Sequence, residues 1–306
     1  MKIVFFGSDS FSLPFLEELY KKGFEITLVI TTPDKPKGRG LKIEETPTKK
    51  FAKEIGLNFI EVDKFKNFFE LIEKNKGDIG VVVSFGKIIP QRVLNIFEKG
   101  IINVHPSLLP KYRGPNPIRW QILNGEKKSG ITIIKLTKEV DAGPILTQKE
   151  ISVEESDNYT NLTKKLIEIG KEALIEALEL IEEGKESWIE QKGESTYAPK
   201  FENDFEKLDF KMDGEYLRRK ILSLSLEPGA YAFFREKRVK ILDASLLNNQ
   251  IQGEAGEIVF VDKNSFGIKT LNKILIPKLV KVEGKREMSI KEFINGYKPK
   301  VHEKFY

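Results

Sequence analysis

Short apolar runs alternate with helical stripes through the first half of the chain. Lys2–Phe6, Ile79–Ser84 and Ile101–Val104 are largely apolar, as expected for strands whose two faces are both covered. Between these runs, apolar residues recur at helical spacing. The other predicted elements are strands at Phe24–Thr31 and Ile131–Leu136 and helices at Phe11–Tyr20, Phe68–Ile72, Pro117–Asn124 and Asn158–Glu183. This order predicts an α/β domain with an open, mostly parallel, twisted sheet.

The pattern changes after the long helix. Residues 192–206 show no period and are typical of a linker, and short strands with turns follow them. A Ser289–Glu292 capping box begins a last helix. The predicted strands are Tyr231–Phe234, Val239–Leu242, Glu257–Val261, Phe266–Thr270 and Lys273–Leu279. Five short strands favour a small OB-like barrel, so the sequence predicts domains at 1–190 and 207–306 joined by a linker at 191–206.

Charge divides the chain in a similar way. The 306 residues hold 51 Lys+Arg and 46 Asp+Glu, a net charge of +5. Residues 211–306 hold 19 basic and 12 acidic side chains, a balance of +7, which leaves 32 and 34, a balance of −2, for residues 1–210. A basic second part favours contact with a polyanion there.

Composition excludes several chemistries. The chain has no cysteine, which rules out a disulfide framework, a thiol nucleophile and thiolate metal sites. The two histidines, His105 and His302, lie too far apart in sequence to favour a multi-histidine metal site. Because His302 lies near an end that we expect to fray, His105 is the better candidate for acid–base chemistry.

No segment is typical of a membrane protein. The longest apolar runs, such as Ile26–Ile30 and Ile79–Val83, are far shorter than the ~20 residues of a membrane helix. The first residues have the pattern of a strand and not of a signal peptide. We therefore expect a cytoplasmic protein.

Two polar side chains mark the end of a predicted strand. Asn103 and His105 are two positions apart, so along an extended chain they point the same way. Ligands of open α/β sheets bind where strands end. The following loop, residues 106–114, contains two prolines and a glycine that restrict its shape. The pattern favours a catalytic or binding role for this pair over a purely structural one.

A third polar residue follows the next strand. Asp141 stands in the turn Val140-Asp141-Ala142-Gly143-Pro144, which can return its carboxylate to the strand ends. Alone it is typical of an Asx turn. Beside Asn103 and His105 it would complete a set of hydrogen-bond donor, general acid–base and orienting carboxylate.

These residues carry a family resemblance. Asn103-x-His105, the loop that follows it and Asp141-x-Gly143 resemble the signature of the folate-dependent formyltransferases. Further segments resemble the methionyl-tRNA formyltransferases of that family: Pro33–Gly40, Thr196–Lys200, Pro228–Tyr231 and Gly284–Met288. The resemblance implies a Rossmann-like formyltransferase domain at 1–190 and a tRNA-contacting OB-like domain at 207–306. It implies formyl transfer from 10-formyltetrahydrofolate to the methionine amine of initiator methionyl-tRNA, without a metal.

Residue types suggest the roles within such a reaction. Asn103 would hold the oxyanion, a protonated His105 would be a second donor, and Asp141 would favour the imidazolium and relay the amine proton. The resemblance assigns the folate cleft to Ser107, Leu108, Leu109, Pro110, Phe85, Gly86 and Ile88. Backbone groups of Ser84-Phe85-Gly86 would suit the amide-like edge of a pteridine.

Basic residues are the candidates for tRNA contact. The loop Asp34–Lys50 offers Lys35, Lys37, Arg39 and Lys42, and the resemblance implies that this loop reaches the acceptor end. The second part of the chain offers Arg218, Arg238, Lys285 and Arg286. We expect initiator methionyl-tRNA and 10-formyltetrahydrofolate as partners, and neither a membrane nor an obligate protein partner.

Alternatives remain open at the level of sequence. A folate-dependent enzyme that formylates an amino sugar nucleotide or another small amine would keep the same catalytic set. A nucleotide-dependent oxidoreductase is disfavoured, because Gly7-Ser8-Asp9-Ser10 lacks the G-x-G-x-x-G fingerprint. A non-enzymatic nucleic-acid-binding module would leave Asn103, His105 and Asp141 without a shared purpose.

Overall fold

The computed structural model describes residues 1–37, 42–248 and 251–306 and divides the chain into two units. The first unit comprises Met1–Pro117, Lys128–Ser152 and Thr163–Ala198. The second comprises Ile118–Lys127, Val153–Leu162 and Pro199–Tyr306. The domain boundaries drawn from the sequence, 1–190 and 207–306, stay a prediction.

The strands of the first unit are β1 (Lys2–Phe6), β2 (Glu25–Thr31), β3 (Lys35–Lys37), β4 (Lys42–Glu44), β5 (Phe59–Glu61), β6 (Ile79–Val82), β7 (Ile101–His105), β8 (Lys128–Lys135) and β9 (Ile145–Ser152). Within the described part of the chain, seven of them form one sheet in the order β5-β2-β1-β6-β7-β8-β9. Pairing is parallel from β5 to β7 and antiparallel from β7 to β9. The prediction of a mostly parallel sheet is confirmed. The strands β3 and β4 form a separate hairpin.

The helices along the chain are α1 (Leu13–Lys21), α2 (Pro47–Ile55), α3 (Phe69–Lys74), α4 (Gln91–Leu94), α5 (Pro117–Asn124), α6 (Tyr159–Glu182), α7 (Gly214–Leu224) and α8 (Ile290–Tyr297). Local signals explain their ends. Helix α2 starts at Pro47, where the Thr46 side chain accepts from the Lys49 amide, and it ends at Gly56 in the left-handed conformation that glycine tolerates. Helix α8 has the capping box predicted from Ser289 and Glu292.

Strand β9 was not predicted. Its residues are alternately half-buried and exposed along much of its length, so it gives no apolar run. It pairs antiparallel with β8, which in turn pairs antiparallel with β7, from Ile102 opposite Lys135 to His105 opposite Thr132. Adding this hairpin beside β7 puts polar side chains of β8 and β9 next to the strand that ends at His105.

The carboxyl ends of β1, β6 and β7 meet at one edge of the sheet, because these strands are parallel neighbours. The turn after β1 is closed by Asp9, whose Oδ1 accepts from the amides of Phe11 and Ser12 at 3.0 Å each. Ser84, after β6, donates to Asp9 Oδ2 at 2.5 Å. The Gly7–Ser10 segment is thus a turn capped by a side chain and tied to the next strand end.

The second unit has its own sheet. Its strands are β10 (Ala230–Phe234), β11 (Lys237–Leu247), β12 (Ile258–Val261), β13 (Phe266–Lys269), β14 (Ile274–Val282) and β15 (Glu287–Ser289). Within the described residues they form a six-stranded antiparallel sheet in the order β10-β11-β14-β13-β12, with β15 on β14. This agrees with the predicted strands of the second part, although β11 and β14 are longer than predicted and β15 is additional.

The last residues of the chain belong to this unit's core. Phe305 is only 2% exposed, and its ring centroid lies 4.7 Å from that of Phe234. Its backbone pairs with Phe234 of β10, while Lys304 pairs with Glu257 just before β12. The expectation of a frayed end near His302 was wrong, because a buried aromatic side chain holds this segment between β10 and β12.

None of the described helices combines the length and apolarity that crossing a bilayer would require.

Candidate active site

His105 ends β7 and is buried, with 3% of its surface exposed. Its Nε2 lies 2.9 Å from the carbonyl oxygen of Tyr112. A carbonyl only accepts, so this contact assigns a hydrogen to Nε2. The other nitrogen, Nδ1, faces Oδ2 of Asp141 at 3.6 Å. Proton exchange at this imidazole is therefore left to Nδ1.

Asp141 lies beside Asn103 and His105, the two residues of β7 predicted from the sequence to share a site. Its Oδ1 accepts from Asn103 Nδ2 at 3.3 Å, and its Oδ2 accepts from the backbone N–H of Gly114 at 2.8 Å. The residue is 9% exposed and has a positive φ of 53°. The structure thus brings Asn103, His105 and Asp141 together, with the carboxylate between the amide and the imidazole.

The loop after β7 is fixed by side chains of β8 and β9. Thr132 of β8 donates to the carbonyl of Ser107 at 2.6 Å and accepts from the Leu109 amide at 3.2 Å. Gln148 of β9 donates to the carbonyl of Leu109 at 3.1 Å. Sequence reasoning missed Thr132 and Gln148, because an isolated polar residue in a strand carries no signal for a distant loop.

The predicted folate residues of this loop differ in what they offer. Ser107 is fully buried, and its hydroxyl donates to the Lys111 carbonyl at 2.6 Å, so it shapes the loop. Leu109 is also buried, whereas Leu108 and Pro110 are half-buried.

A second predicted folate segment follows β6. The Phe85 side chain is 3% exposed and packs edge-on against Phe6, with 5.7 Å between ring centroids, so only its backbone can face a ligand. Gly86 has a positive φ of 74° and open space where a side chain would stand. Ile88 is 79% exposed. Within the described chain, the backbone N–H groups of residues 84–89 have no hydrogen-bond acceptor.

A strap of residues 191–198 forms hydrogen bonds with the loop after β7. The Tyr112 amide donates to Thr196 Oγ1 at 2.9 Å, and the Arg113 amide donates to the Thr196 carbonyl at 2.9 Å. The Ala198 amide donates to the Arg113 carbonyl at 2.7 Å. Although this stretch has the sequence pattern of a linker, it holds the segment whose Tyr112 carbonyl receives His105.

The root of the β3–β4 hairpin is anchored by a buried ion pair. Lys49 is 7% exposed, and its Nζ lies 2.6 Å from Asp34 Oδ2 and 3.0 Å from Glu61 Oε1. The hydrogen bond between Lys49 and Asp34 lowers the pKa of Asp34 and raises the pKa of Lys49. The predicted tRNA residues Lys35, Lys37 and Lys42 stand on this hairpin, and Arg39 lies outside the described residues.

The other basic candidates stand on separate elements of the second unit. Arg218 is engaged, with Nε 3.2 Å from Glu215 Oε2 and an Nη1 hydrogen bond of 2.8 Å to the Glu155 carbonyl. The Arg238 guanidinium lies 3.6 Å from the ring centroid of Tyr231. Lys285 is exposed beside Arg286, whose side chain is 83% exposed and pairs with Glu292 at 3.0 Å. Lys285 and Arg286 are thus the most accessible, and Arg218 is largely committed within the unit.

Among the described residues, no three histidine, aspartate or glutamate side chains are grouped in a way that would bind a metal ion.

Known proteins resemble this chain along its whole length. A family profile described as "Formyl transferase" matches residues 1–178, and one described as "Formyl transferase, C-terminal domain" matches residues 200–298. A Dictyoglomus thermophilum protein named methionyl-tRNA formyltransferase is 40% identical over 312 residues, covering 100% of each chain. A protein of the same name from Thermotoga maritima is 39% identical over 299 residues, covering 97% of this chain and 95% of the other.

A solved structure shares the fold. HypX from Aquifex aeolicus in complex with tetrahydrofolic acid matches with a TM-score of 0.68 at 22% identity, covering 99% of this chain and 48% of the other. The present chain therefore spans about half of HypX, and at this identity the likeness concerns the fold alone.

Proposed function

The chain belongs to the formyltransferase family, with methionyl-tRNA formyltransferases as full-length relatives, and we therefore propose that it formylates initiator methionyl-tRNA. The formyl group comes from 10-formyltetrahydrofolate and goes to the α-amino group of methionine, giving N-formylmethionyl-tRNA for translation initiation. The observation that carries this proposal is the meeting of Asn103, His105 and Asp141 at the end of β7 in a chain with such relatives.

The reaction is an acyl transfer between two substrates. The neutral amine attacks the formyl carbon and forms the new C–N bond, and the carbonyl electrons move onto oxygen to give a tetrahedral oxyanion. When the carbonyl re-forms, the bond to N10 of the folate breaks, and N10 leaves with a proton. This sequence needs a donor for the oxyanion and a group that takes up the amine proton.

Asn103 suits the role of oxyanion donor. Its Nδ2 carries two hydrogens, and Asp141 Oδ1 at 3.3 Å occupies one of them. The second hydrogen is available to the developing oxyanion. Because Asp141 fixes the amide in place, no reorganisation is needed when charge develops, and one such donor is typically worth about 10²–10³ in rate.

His105 and Asp141 divide the proton chemistry. With Nε2 donating to the Tyr112 carbonyl, His105 gains and loses its second proton at Nδ1, beside the Asp141 carboxylate. When protonated there, His105 is the second donor for the oxyanion. Asp141 stabilises that imidazolium and accepts the amine proton, directly or through a water.

The folate fits the segment after β6 and the loop after β7. The N–H groups of residues 84–89 that lack acceptors within the described chain match the amide-like edge of a pteridine. The exposed Ile88 side chain offers apolar surface for an aromatic ring. Leu108 and Pro110 contribute side chains, whereas Phe85, Gly86, Ser107 and Leu109 contribute backbone and shape.

For tRNA, the β3–β4 hairpin and the basic surface of the second unit are the proposed contacts. Lys35, Lys37 and Lys42, on the hairpin whose root is fixed by Asp34 and Lys49, would meet the acceptor end together with Arg39. Arg238, Lys285 and Arg286, with Arg218 as the least available, would meet phosphates elsewhere. A single chain carries the whole catalytic set, so the proposal includes no obligate protein partner, and it places the enzyme in the cytoplasm with its tRNA.

The experiment that tests this function is a competition between acceptors. Formyl-labelled 10-formyltetrahydrofolate is offered with methionyl-tRNA, an amino sugar nucleotide and glycinamide ribonucleotide, separately and together. We expect label only in methionyl-tRNA. Acid precipitation of the tRNA should recover that label with the tRNA. Label in the sugar nucleotide but not in tRNA would establish the alternative of a small-amine formyltransferase.

A further inference from the structure

Gln191 makes hydrogen bonds with every polar atom of its side chain. Its Nε2 donates to the carbonyl oxygen of Asp141 at 2.8 Å and to that of Gly143 at 2.9 Å. Its Oε1 accepts from Nε of Arg113 at 3.2 Å and from Nη2 of Arg113 at 2.7 Å. Both amide hydrogens and the amide oxygen are therefore used within the first unit.

The two carbonyls belong to the turn that presents Asp141. That residue has a φ of 53°, a left-handed conformation that is unfavourable for most residues with a side chain and needs support from its surroundings. The turn is also tightly packed, since a Cβ on Gly143 would stand 1.8 Å from the Lys135 carbonyl oxygen. The two hydrogen bonds from Gln191 therefore support the backbone of this turn directly.

The guanidinium belongs to the loop that controls His105. Arg113 follows Tyr112, whose carbonyl receives His105 Nε2, and precedes Gly114, whose amide donates to Asp141. Gln191 thus links the turn of Asp141 to the loop that sets the orientation of the imidazole.

We propose that Gln191 is a positioning residue that holds the Asp141 carboxylate at His105 Nδ1, an inference that rests on the proposed function. Only an amide supplies two donors and an acceptor at this place. Methionine has a similar length but none of the hydrogen bonds. Glutamate keeps the contact with Arg113 but sets a carboxylate oxygen against the carbonyls of Asp141 and Gly143.

The first test compares Gln191→Met with the wild type. Loss of positioning is expected to lower kcat by between about tenfold and a hundredfold, with KM for folate and for tRNA changed less than about twofold. The matched control is Gln252→Met, at an exposed position of the second unit, which is expected to keep wild-type kinetics. An unchanged kcat in Gln191→Met, or an equal fall in the control, would overturn the proposal.

A double-mutant cycle tests whether Gln191 acts through Asp141. In an Asp141→Asn background the carboxylate is gone, so adding Gln191→Met is expected to lower the remaining rate by less than about twofold. If Gln191→Met lowers the rate by the same factor in both backgrounds, it acts independently of Asp141 and the inference is wrong. A merely structural contribution would give that second result.

Crystal structures separate this inference from the function itself. Wild type and Gln191→Met, solved in one crystal form, are expected to differ in the hydrogen bond from the Gly114 amide to Asp141, which lengthens in the variant. An unmoved carboxylate would overturn the positioning role whatever reaction the enzyme catalyses. If Gln191→Met does not fold, Gln191→Glu replaces it, with a larger expected displacement. Failure of the wild type to formylate methionyl-tRNA would count against the proposed function only.

Discussion

The two histidines of the chain each face a carboxylate, in very different surroundings. His302 Nδ1 lies 2.6 Å from Glu257 Oε1, but its side chain is 84% exposed. His105 Nδ1 lies 3.6 Å from Asp141 Oδ2, and its side chain is 4% exposed. The closer pair is therefore the one open to water, where an ion pair contributes little. The more distant pair is enclosed, and Nε2 of His105 is fixed by the Tyr112 carbonyl.

This contrast shows what distinguishes a site from a contact. The second carboxylate oxygen of Glu257 accepts from the Glu254 amide at 2.7 Å, so the pair closes a surface turn. Asp141 instead receives Asn103 on one oxygen and the Gly114 amide on the other, which aims it at the imidazole. The distance from a histidine to a carboxylate is thus a poor indicator of a catalytic site. A better indicator is whether the remaining polar atoms of both side chains are also held by hydrogen bonds.

The largest effect is expected from removing each imidazole in turn. His105→Ala should lower formylation by about a thousandfold or more, since it removes an oxyanion donor and leaves Asp141 without its imidazole partner, while tRNA binding stays nearly intact. His302→Ala is the matched control and should keep kcat. Steady-state formylation and filter binding of tRNA provide the two readings. Comparable activity losses in both variants would contradict the assignment of catalysis to His105 alone of the two histidines.

A smaller loss is expected from the partners of His105. Asn103→Ala removes one oxyanion donor and should lower kcat by about 10²–10³ with little change in KM. Asp141→Asn keeps the shape of the side chain but loses the charge beside Nδ1, and single-turnover assays should place it in the same range. A rise in KM with unchanged kcat would reassign these residues to binding.

The second unit is expected to contribute to binding and not to chemistry. Neutralising the accessible pair, Lys285→Gln with Arg286→Gln, should raise KM for tRNA several-fold, leave kcat unchanged and lower the slope of log affinity against log salt by about one per lost phosphate contact. The control is Lys64→Gln with Lys66→Gln, two exposed lysines of the first unit. A salt slope equal to that of the wild type would remove Lys285 and Arg286 from the tRNA interface.

The smallest effect is expected at Glu257. Its pKa is lowered, first because the Glu254 amide donates to it and then because His302 faces it. A lowered folded-state pKa gives stability that is present above the ordinary value of 4.5 and is lost as pH falls through the lower folded-state value. Glu257→Gln should therefore have a free energy of unfolding lower than that of the wild type by less than about 1 kcal/mol at pH 7. In urea unfolding its midpoint should be slightly lower at pH 7 and should match the wild type in acid. A difference that grows in acid would contradict this assignment.

The fold was predictable where the apolar pattern is strong. Strand β6 is a continuous apolar run, and α6 has a long buried stripe, so both were recognised close to their observed bounds. Strand β9 was not, because polar and half-buried residues alternate along it. The end of the chain was misjudged because burial of Phe305 depends on distant partners, Phe234 and Phe266.

The sequence was enough to predict the three proposed catalytic side chains of the candidate site but not the groups that hold them in place. The spacing of Asn103 and His105 along a strand indicated that they share a face, and the turn around Asp141 indicated a return of the chain. The groups that hold them are the Tyr112 carbonyl, the Gly114 amide and the amide of Gln191. Backbone groups have no sequence signature, and Gln191 lies 50 positions from Asp141.

The strap has a consequence for the order in which the protein is built. Thr196 bonds to Tyr112 across 84 positions, so loop closure over that length must precede the contact. A nascent chain that has reached residue 190 already contains every strand of the seven-stranded sheet, but it still lacks Gln191 and Thr196, which bond to the turn of Asp141 and to the Tyr112 segment. At about 5–20 residues per second the strap emerges several seconds after His105. Catalytic competence is therefore expected to arise after the sheet, as the last step in maturation of this unit on the ribosome.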